Sequence, residues 1–215
     1  MIEDMATARR TAEYLLEIEA VKLSPADYFT WASGWHSPVY CDNRLTLSYP
    51  HIRTFLAGSM AKIIENRDIR PDVIAGVATG AIAIGMLVAQ QMGLPFVYVR
   101  PEPKKHGRRN QIEGHLPEGS RVVVIEDLIS TGGSSLCAVD ALREAGADVL
   151  YMTAIMTYGF DIVRENFERA GVKLTTLCEY GVLVEKAAES GYVRPEELEL
   201  LARWRKDPAG WMREE

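Results

Sequence analysis

Val122-Val123-Val124-Ile125-Glu126-Asp127-Leu128-Ile129-Ser130-Thr131-Gly132-Gly133-Ser134-Ser135 combines a strand, a pair of acids and a small-residue turn. Four branched apolar residues predict a strand buried on both faces, as in parallel sheets. The acids stand at its C-terminal end, the edge of an open parallel sheet beyond which ligands bind. Small and hydroxylated residues follow where a helix begins. Backbone N–H groups at such a start lack partners within the helix and attract anions. Gly132 and Gly133 let a ligand approach the backbone closely. The expected ligand carries a phosphate at one end and hydroxyls, for the carboxylates to accept, at the other. A ribose 5-phosphate has both. A plain strand, surface turn and Ser/Thr-rich helix cap would share the turn but not the adjacent acids. The glycine–lysine signature of a Walker loop is absent, as are the spaced glycines of a dinucleotide fingerprint.

An alternation surrounds this stretch. Asp72–Val77, Phe96–Val99, Arg121–Ile125, Val149–Met156 and Lys173–Leu177 read as strands. Gly80–Met92, Gly132–Glu144 and Asp161–Ala170 read as the helices between them. Pro101–Leu116 is polar, basic and glycine-bearing, so it reads as a long loop. Strands and helices in this order mean an α/β fold around a parallel sheet. The first ~45 residues do not join the alternation. Thr7–Ala20 has a helical apolar stripe, and aromatic Phe29–Arg44 leaves room for short strands. A further helix starts at Pro50, and Val182–Glu189 and Pro195–Lys206 close the chain. The expected organisation is an N-terminal helix and cover over 1–45, a core over 46–180 with the loop 101–116, and C-terminal helices over 181–215.

Bulk properties narrow the function classes. The 215 residues are 47% hydrophobic and 25% charged, as in an ordinary globular domain. A net charge of -6 argues against a nucleic-acid surface. Lys104, Lys105, Arg108 and Arg109 still offer a local site for an anion. Cys41, Cys137 and Cys178 lie too far apart in sequence for a metal or disulfide pattern. The acidic start is unlike a signal peptide, and the longest apolar stretch, Ala78–Ala89, is too short to span a bilayer. The expected location is cytoplasmic, with neither membrane nor nucleic acid as a partner.

Glu126–Ser134 resembles the phosphoribosyl-pyrophosphate (PRPP) motif of type I phosphoribosyltransferases. The resemblance implies that Glu126 and Asp127 hold the ribose hydroxyls. It also implies that Leu128, Ile129, Ser130, Thr131, Gly132, Gly133 and Ser134 cradle the 5′-phosphate. Val97–Gly107 resembles the loop of the orotate phosphoribosyltransferases, which implies that Arg100, Lys104 and His106 meet PRPP. Without that likeness, Lys104, Lys105 and His106 would read as a solvated basic loop. Phe29–Tyr40 resembles the family's segment over the base, and Gly76–Gly80 resembles its pyrophosphate turn. Ser130 then contacts orotate.

The implied reaction joins orotate to PRPP, giving orotidine 5′-monophosphate and pyrophosphate in pyrimidine biosynthesis. The implied assembly is a homodimer whose loop reaches the neighbour's site. Lys104, His106 and Asp127 are the expected catalytic residues, with Lys104 and His106 both open as proton donor. Mg²⁺ is the expected cofactor, held by PRPP and water rather than by a protein cage. No arginine follows the fourth strand, where Thr157-Tyr158-Gly159 stands, so the partner of the orotate carboxylate is unassigned. A purine phosphoribosyltransferase and a PRPP-sensing regulator are the competing readings. The first would lack the Arg100–His106 pattern, and the second would need a nucleic-acid surface.

Overall fold

The computed structural model describes residues 2–31, 34–102 and 111–211. A six-stranded sheet runs through it. Its strands are β5 (Val73–Val77), β6 (Phe96–Val99), β7 (Ile112–Glu113), β8 (Arg121–Ile129), β9 (Asp148–Thr157) and β10 (Leu174–Glu179). Their order is β10-β9-β8-β5-β6-β7. The strands are parallel except for β7, which lies antiparallel on β6 with Tyr98 opposite Glu113.

Two expectations are corrected. β8 runs four residues past Ile125, because Glu126, Leu128 and Ile129 continue to pair with β9. Charge alone does not end a strand whose backbone partners continue. The polar stretch after Arg100 also contains the edge strand β7, whose two residues carry too little pattern to be read locally.

Helices cover both faces. They are α1 (Met5–Glu17), α2 (Pro50–Asn66), α3 (Ala81–Met92), α4 (Gly133–Glu144), α5 (Asp161–Ala170), α6 (Tyr180–Glu189) and α7 (Leu198–Lys206). α2 packs on α3, and α4 on α5. Val122, Val123, Val124 and Ile125 are fully buried between the two layers. α1 starts on the side chain of Asp4 and buries Ala8, Ala12, Leu15 and Leu16. It packs on α6 and β10, which joins the N-terminal helix to the C-terminal one.

The remaining N-terminal residues form a small cover, or hood. β1 (Val21–Leu23) pairs antiparallel with β4 (Val39–Cys41), and β2 (Phe29–Thr30) with β3 (His36–Ser37). Trp31 fixes the cover from within: its indole N–H donates to the Val39 carbonyl at 2.9 Å. No helix among the described residues is long and apolar enough to cross a membrane.

Candidate active site

The parallel strands deliver four turns to one edge. These follow β5 at Ala78–Gly80, β6 at Arg100, β8 at Ser130–Gly132 and β9 at Tyr158–Phe160. The two acids reach this edge still within β8, so their side chains point to opposite faces.

Glu126 points toward α4 and is 4% exposed. One carboxyl oxygen accepts the Asp127 N–H at 2.9 Å, and the other accepts the Ser135 hydroxyl at 2.8 Å. Burial pushes this carboxyl well above the usual carboxylate range, and the neighbouring Asp127 charge pushes it further.

Asp127 points toward the start of α3 and is half-buried. Its carboxylate accepts the Leu128 N–H at 2.9 Å and lies directly over Gly80. A Cβ at Gly80 would fall 2.0 Å from the Asp127 Oδ2, so any side chain there would displace the carboxylate. The buried Asn43 amide donates to the Asp127 carbonyl at 2.7 Å, and the Cys41 thiol donates to Asn43 Oδ1 at 3.4 Å. The hood and the acid pair thus share a continuous set of bonds.

The turn after β8 is held from below. Gly132 adopts φ +85° as it enters α4, and a Cβ there would lie 2.7 Å from the buried Phe167 ring. The Asn166 amide donates to the Thr131 carbonyl at 3.1 Å. The Thr157 hydroxyl and the Tyr158 N–H both donate to the Ile129 carbonyl, at 3.0 and 3.2 Å. Thr131, Gly133 and Ser134 are exposed, and α4 has no acidic residue in its first turn. The positive end of the helix and its free N–H groups are therefore open to an anion. Ser130 is half-buried at the same turn. Ile129 is fully buried, so it can offer a ligand only its backbone.

Arg100 is placed differently. Its backbone N–H donates to the Gln111 carbonyl at 2.8 Å, and its guanidinium stands 3.5 Å from Glu113 on β7. Lys104, Lys105 and His106 lie outside the described residues. Among the described residues, no three His, Cys, Asp or Glu side chains gather as a metal cluster.

A cavity of ≈ 510 Å³ adjoins the edge, between Trp35 of the hood, Thr131, Gly159 and the helices α5 to α7. It borders Thr131 of the turn after β8 but neither Asp127 nor Gly80. The supports Asn43, Asn166 and Phe167 were not singled out from sequence. Asn43 and Asn166 meet partners 84 and 35 residues away, which no local pattern signals.

An open helix start beside a carboxylate at the edge of a parallel sheet is the arrangement a phosphoribosyltransferase needs. Residues 49–170, more than half of the chain, match the family described as "Phosphoribosyl transferase domain". Over 200 residues the chain is 54% identical to the orotate phosphoribosyltransferase of Porphyromonas gingivalis, covering 93% of this chain and 95% of that one. The crystal structure of the Aeropyrum pernix orotate phosphoribosyltransferase superposes with a TM-score of 0.73 at 30% identity, over 85% of this chain and 99% of that one. The Mycobacterium tuberculosis orotate phosphoribosyltransferase, solved in complex with 5-phospho-alpha-D-ribosyl 1-diphosphate, shares the fold. Its TM-score is 0.64 at 22% identity, over 82% of this chain and 98% of that one. The chain belongs to the orotate phosphoribosyltransferase family.

Proposed function

We propose that the chain transfers the 5-phosphoribosyl group of PRPP to orotate with the residues at this sheet edge. The bond from ribose C1 to the pyrophosphate oxygen breaks, a bond from C1 to a pyrimidine nitrogen forms, and that nitrogen gives up its proton to solvent. The products are orotidine 5′-monophosphate and pyrophosphate. One observation carries the assignment of roles. The Asp127 carboxylate over Gly80 and the open start of α4 lie at the same edge, joined by the end of β8 and the turn Ser130–Gly132.

The N–H groups and hydroxyls of Ser130–Ser134 bind the 5′-phosphate. Asp127 accepts a ribose hydroxyl and sits beside the carbon that becomes cationic as the leaving group departs, where a fixed negative charge stabilises it. Glu126 holds Asp127 and Ser135 in place. It would meet the sugar directly only by exchanging one of those two bonds. Ser130 contacts orotate. Arg100, with Lys104 and His106, neutralises the departing pyrophosphate, and Lys104 or His106 gives it a proton. Asp127 keeps a carboxylate oxygen free of the Leu128 bond, which suits a hard cation that binds mostly through substrate oxygens and water. Bound Mg²⁺ would supply charge neutralisation between the pyrophosphate and the ribose oxygens.

A homodimer with shared sites belongs to the same reading. Leu45 and Tyr49, exposed on the turn into α2, support an apolar contact with a second copy. A cytoplasmic location is supported by three free thiols, Cys41, Cys137 and Cys178.

The test follows pyrophosphate release with PRPP, Mg²⁺ and each base in turn. Turnover with orotate but not with adenine or hypoxanthine is expected. A purine preference, or PRPP binding without turnover of any base, would overturn the proposal. Mixing Lys104→Ala with Asp127→Asn chains tests shared sites. Recovered activity in the mixture is expected, and its absence removes that part of the reading.

A further inference from the structure

The outer strand β10 borders a second cavity, of ≈ 600 Å³, with three cations on its wall. Arg67 follows α2, Arg164 stands on α5, and Lys173 precedes β10. Glu3 and Glu168 are the acids there. Arg164 and Lys173 are exposed, and neither makes an ion pair among the described residues. The cavity borders none of Gly80, Asp127 and the turn after β8.

Arg67 is incompletely paired. Its Nη2 donates to the Glu3 carboxylate and, at 2.9 Å, to the Thr175 hydroxyl. Its Nε is buried and makes no hydrogen bond. Two other arginines of this chain show what is missing. Arg44 holds Asp42, and Arg121 holds Asp72, each with Nε and Nη2 on the two carboxylate oxygens. That paired edge is the fork by which a guanidinium grips an oxyanion. At Arg67, Glu3 fills only half of it.

More unpaired groups lie beneath. The Arg67 guanidinium stands 4.1 Å from the centre of the Tyr151 ring, and the buried Tyr151 hydroxyl has no partner. Thr153, opposite Thr175 in the sheet, is also fully buried and unpaired. Among the described residues, five buried side-chain polar atoms lack a partner, and three belong to this corner. Buried polar groups nearly always find partners, so such a cluster marks an incomplete site. Burial pushes the Tyr151 phenol up to about 12, with Thr175 and Arg67 drawing it part-way back, so it stays neutral at physiological pH. A guanidinium N–H can only donate, so what Arg67 lacks is an acceptor.

We propose that this cavity is a second anion site, in which a phosphate group takes the Nε–Nη2 edge of Arg67 in exchange for the Glu3 side chain. Glu3 is then an internal stand-in for the ligand. Once it leaves, Arg67, Arg164 and Lys173 face one acid, Glu168, and that balance favours a dianion over a single carboxylate. The apolar wall of Ile2, Val172 and Leu174 leaves room for a group esterified to the phosphate, in a cavity of the size that holds small organic ligands. The ligand class is therefore phosphate, free or as a monoester.

The test is equilibrium dialysis of inorganic phosphate against the unmodified chain, Glu3→Gln, Arg67→Lys and Arg67→Met. Neither Glu3 nor Arg67 hydrogen-bonds the turn after β8, so phosphate held at that turn is common to all four. Glu3→Gln removes the competing charge and should bind phosphate at this site ~10-fold tighter. Arg67→Lys keeps the charge without the fork and should bind ~10-fold weaker, and Arg67→Met should lose the site. Phosphate should also raise the thermal midpoint of Glu3→Gln more than that of the unmodified chain. Ribose 5-phosphate in place of phosphate separates the two sources. Tighter binding that depends on Arg67 assigns the site to a monoester, and equal or weaker binding assigns it to free phosphate. Coinciding isotherms for the unmodified chain and Glu3→Gln would overturn the inference. So would Arg67→Lys binding phosphate as tightly as the unmodified chain. The Glu3→Gln arm decides the matter where replacing Arg67 prevents folding, because Glu3 is exposed and precedes α1.

Discussion

The two sides of the sheet edge are built differently. On the side of α4 and α5, side chains hold the turn after β8: buried Glu126 on Ser135, buried Phe167 under Gly132 and half-buried Asn166 on Thr131. On the side of β6 and β7, Arg100 rests on a two-residue edge strand through backbone bonds and a partly exposed charge pair. On the roles proposed above, the phosphate cradle is therefore part of the core, and the cation for the leaving group is not. A cradle needs N–H groups preorganised before substrate arrives, so packing is well used there. A cation for a departing pyrophosphate is needed late in the reaction, and core packing adds little to it.

Substitutions across the edge test this contrast, and the largest effect belongs to Gly132. Gly132→Ala should cost about 2–4 kcal/mol, from the left-handed backbone and the overlap with Phe167. Chemical denaturation would measure the loss, and the KM for PRPP should rise with it. Glu126→Ala should cost about 2–3 kcal/mol, because it leaves the Ser135 hydroxyl and the Asp127 N–H unpaired. Glu126→Gln keeps the shape and should cost less.

The pH dependence of Glu126 has a definite sign. Its folded carboxyl binds a proton more tightly than the unfolded one. Its contribution to stability is full below the unfolded value of about 4.3, and it is lost as pH rises toward the elevated folded value. Denaturation midpoints measured across that window should fall less steeply for Glu126→Gln than for the unmodified chain.

Asn166→Ala should cost about 1 kcal/mol, with a modest rise in the KM for PRPP. Arg100→Ala should change stability by less than about 0.5 kcal/mol, since its pair with Glu113 is partly exposed. Its turnover should nevertheless fall at least about tenfold, as expected where a cation stabilises a leaving group. A stability loss at Arg100 as large as that at Glu126 would erase the contrast.

The alternation of strands and helices was legible because buried parallel strands such as Val122–Ile125 carry long apolar runs. The turn into α4 was legible because Ser130–Ser135 sets consecutive small and hydroxylated residues at a helix start. The splitting of the acids across the sheet was hidden by ending the strand at Ile125. Period two through Ile129 separates Glu126 from Asp127, but charged residues conceal that the strand continues. β7 was missed because its two residues pair only through the tertiary fold. Asn43 and Asn166 looked like ordinary polar residues because what they hold is remote in sequence.

Asn43 has an evolutionary consequence. Its amide fastens the hood to the carbonyl of Asp127, the residue proposed to face the sugar. A lineage recruiting this scaffold for another nucleobase can redraw Phe29–Tyr40, but it inherits a rivet at position 43. A transplanted cover that lacks that amide would carry its new selectivity at the expense of the ribose seat.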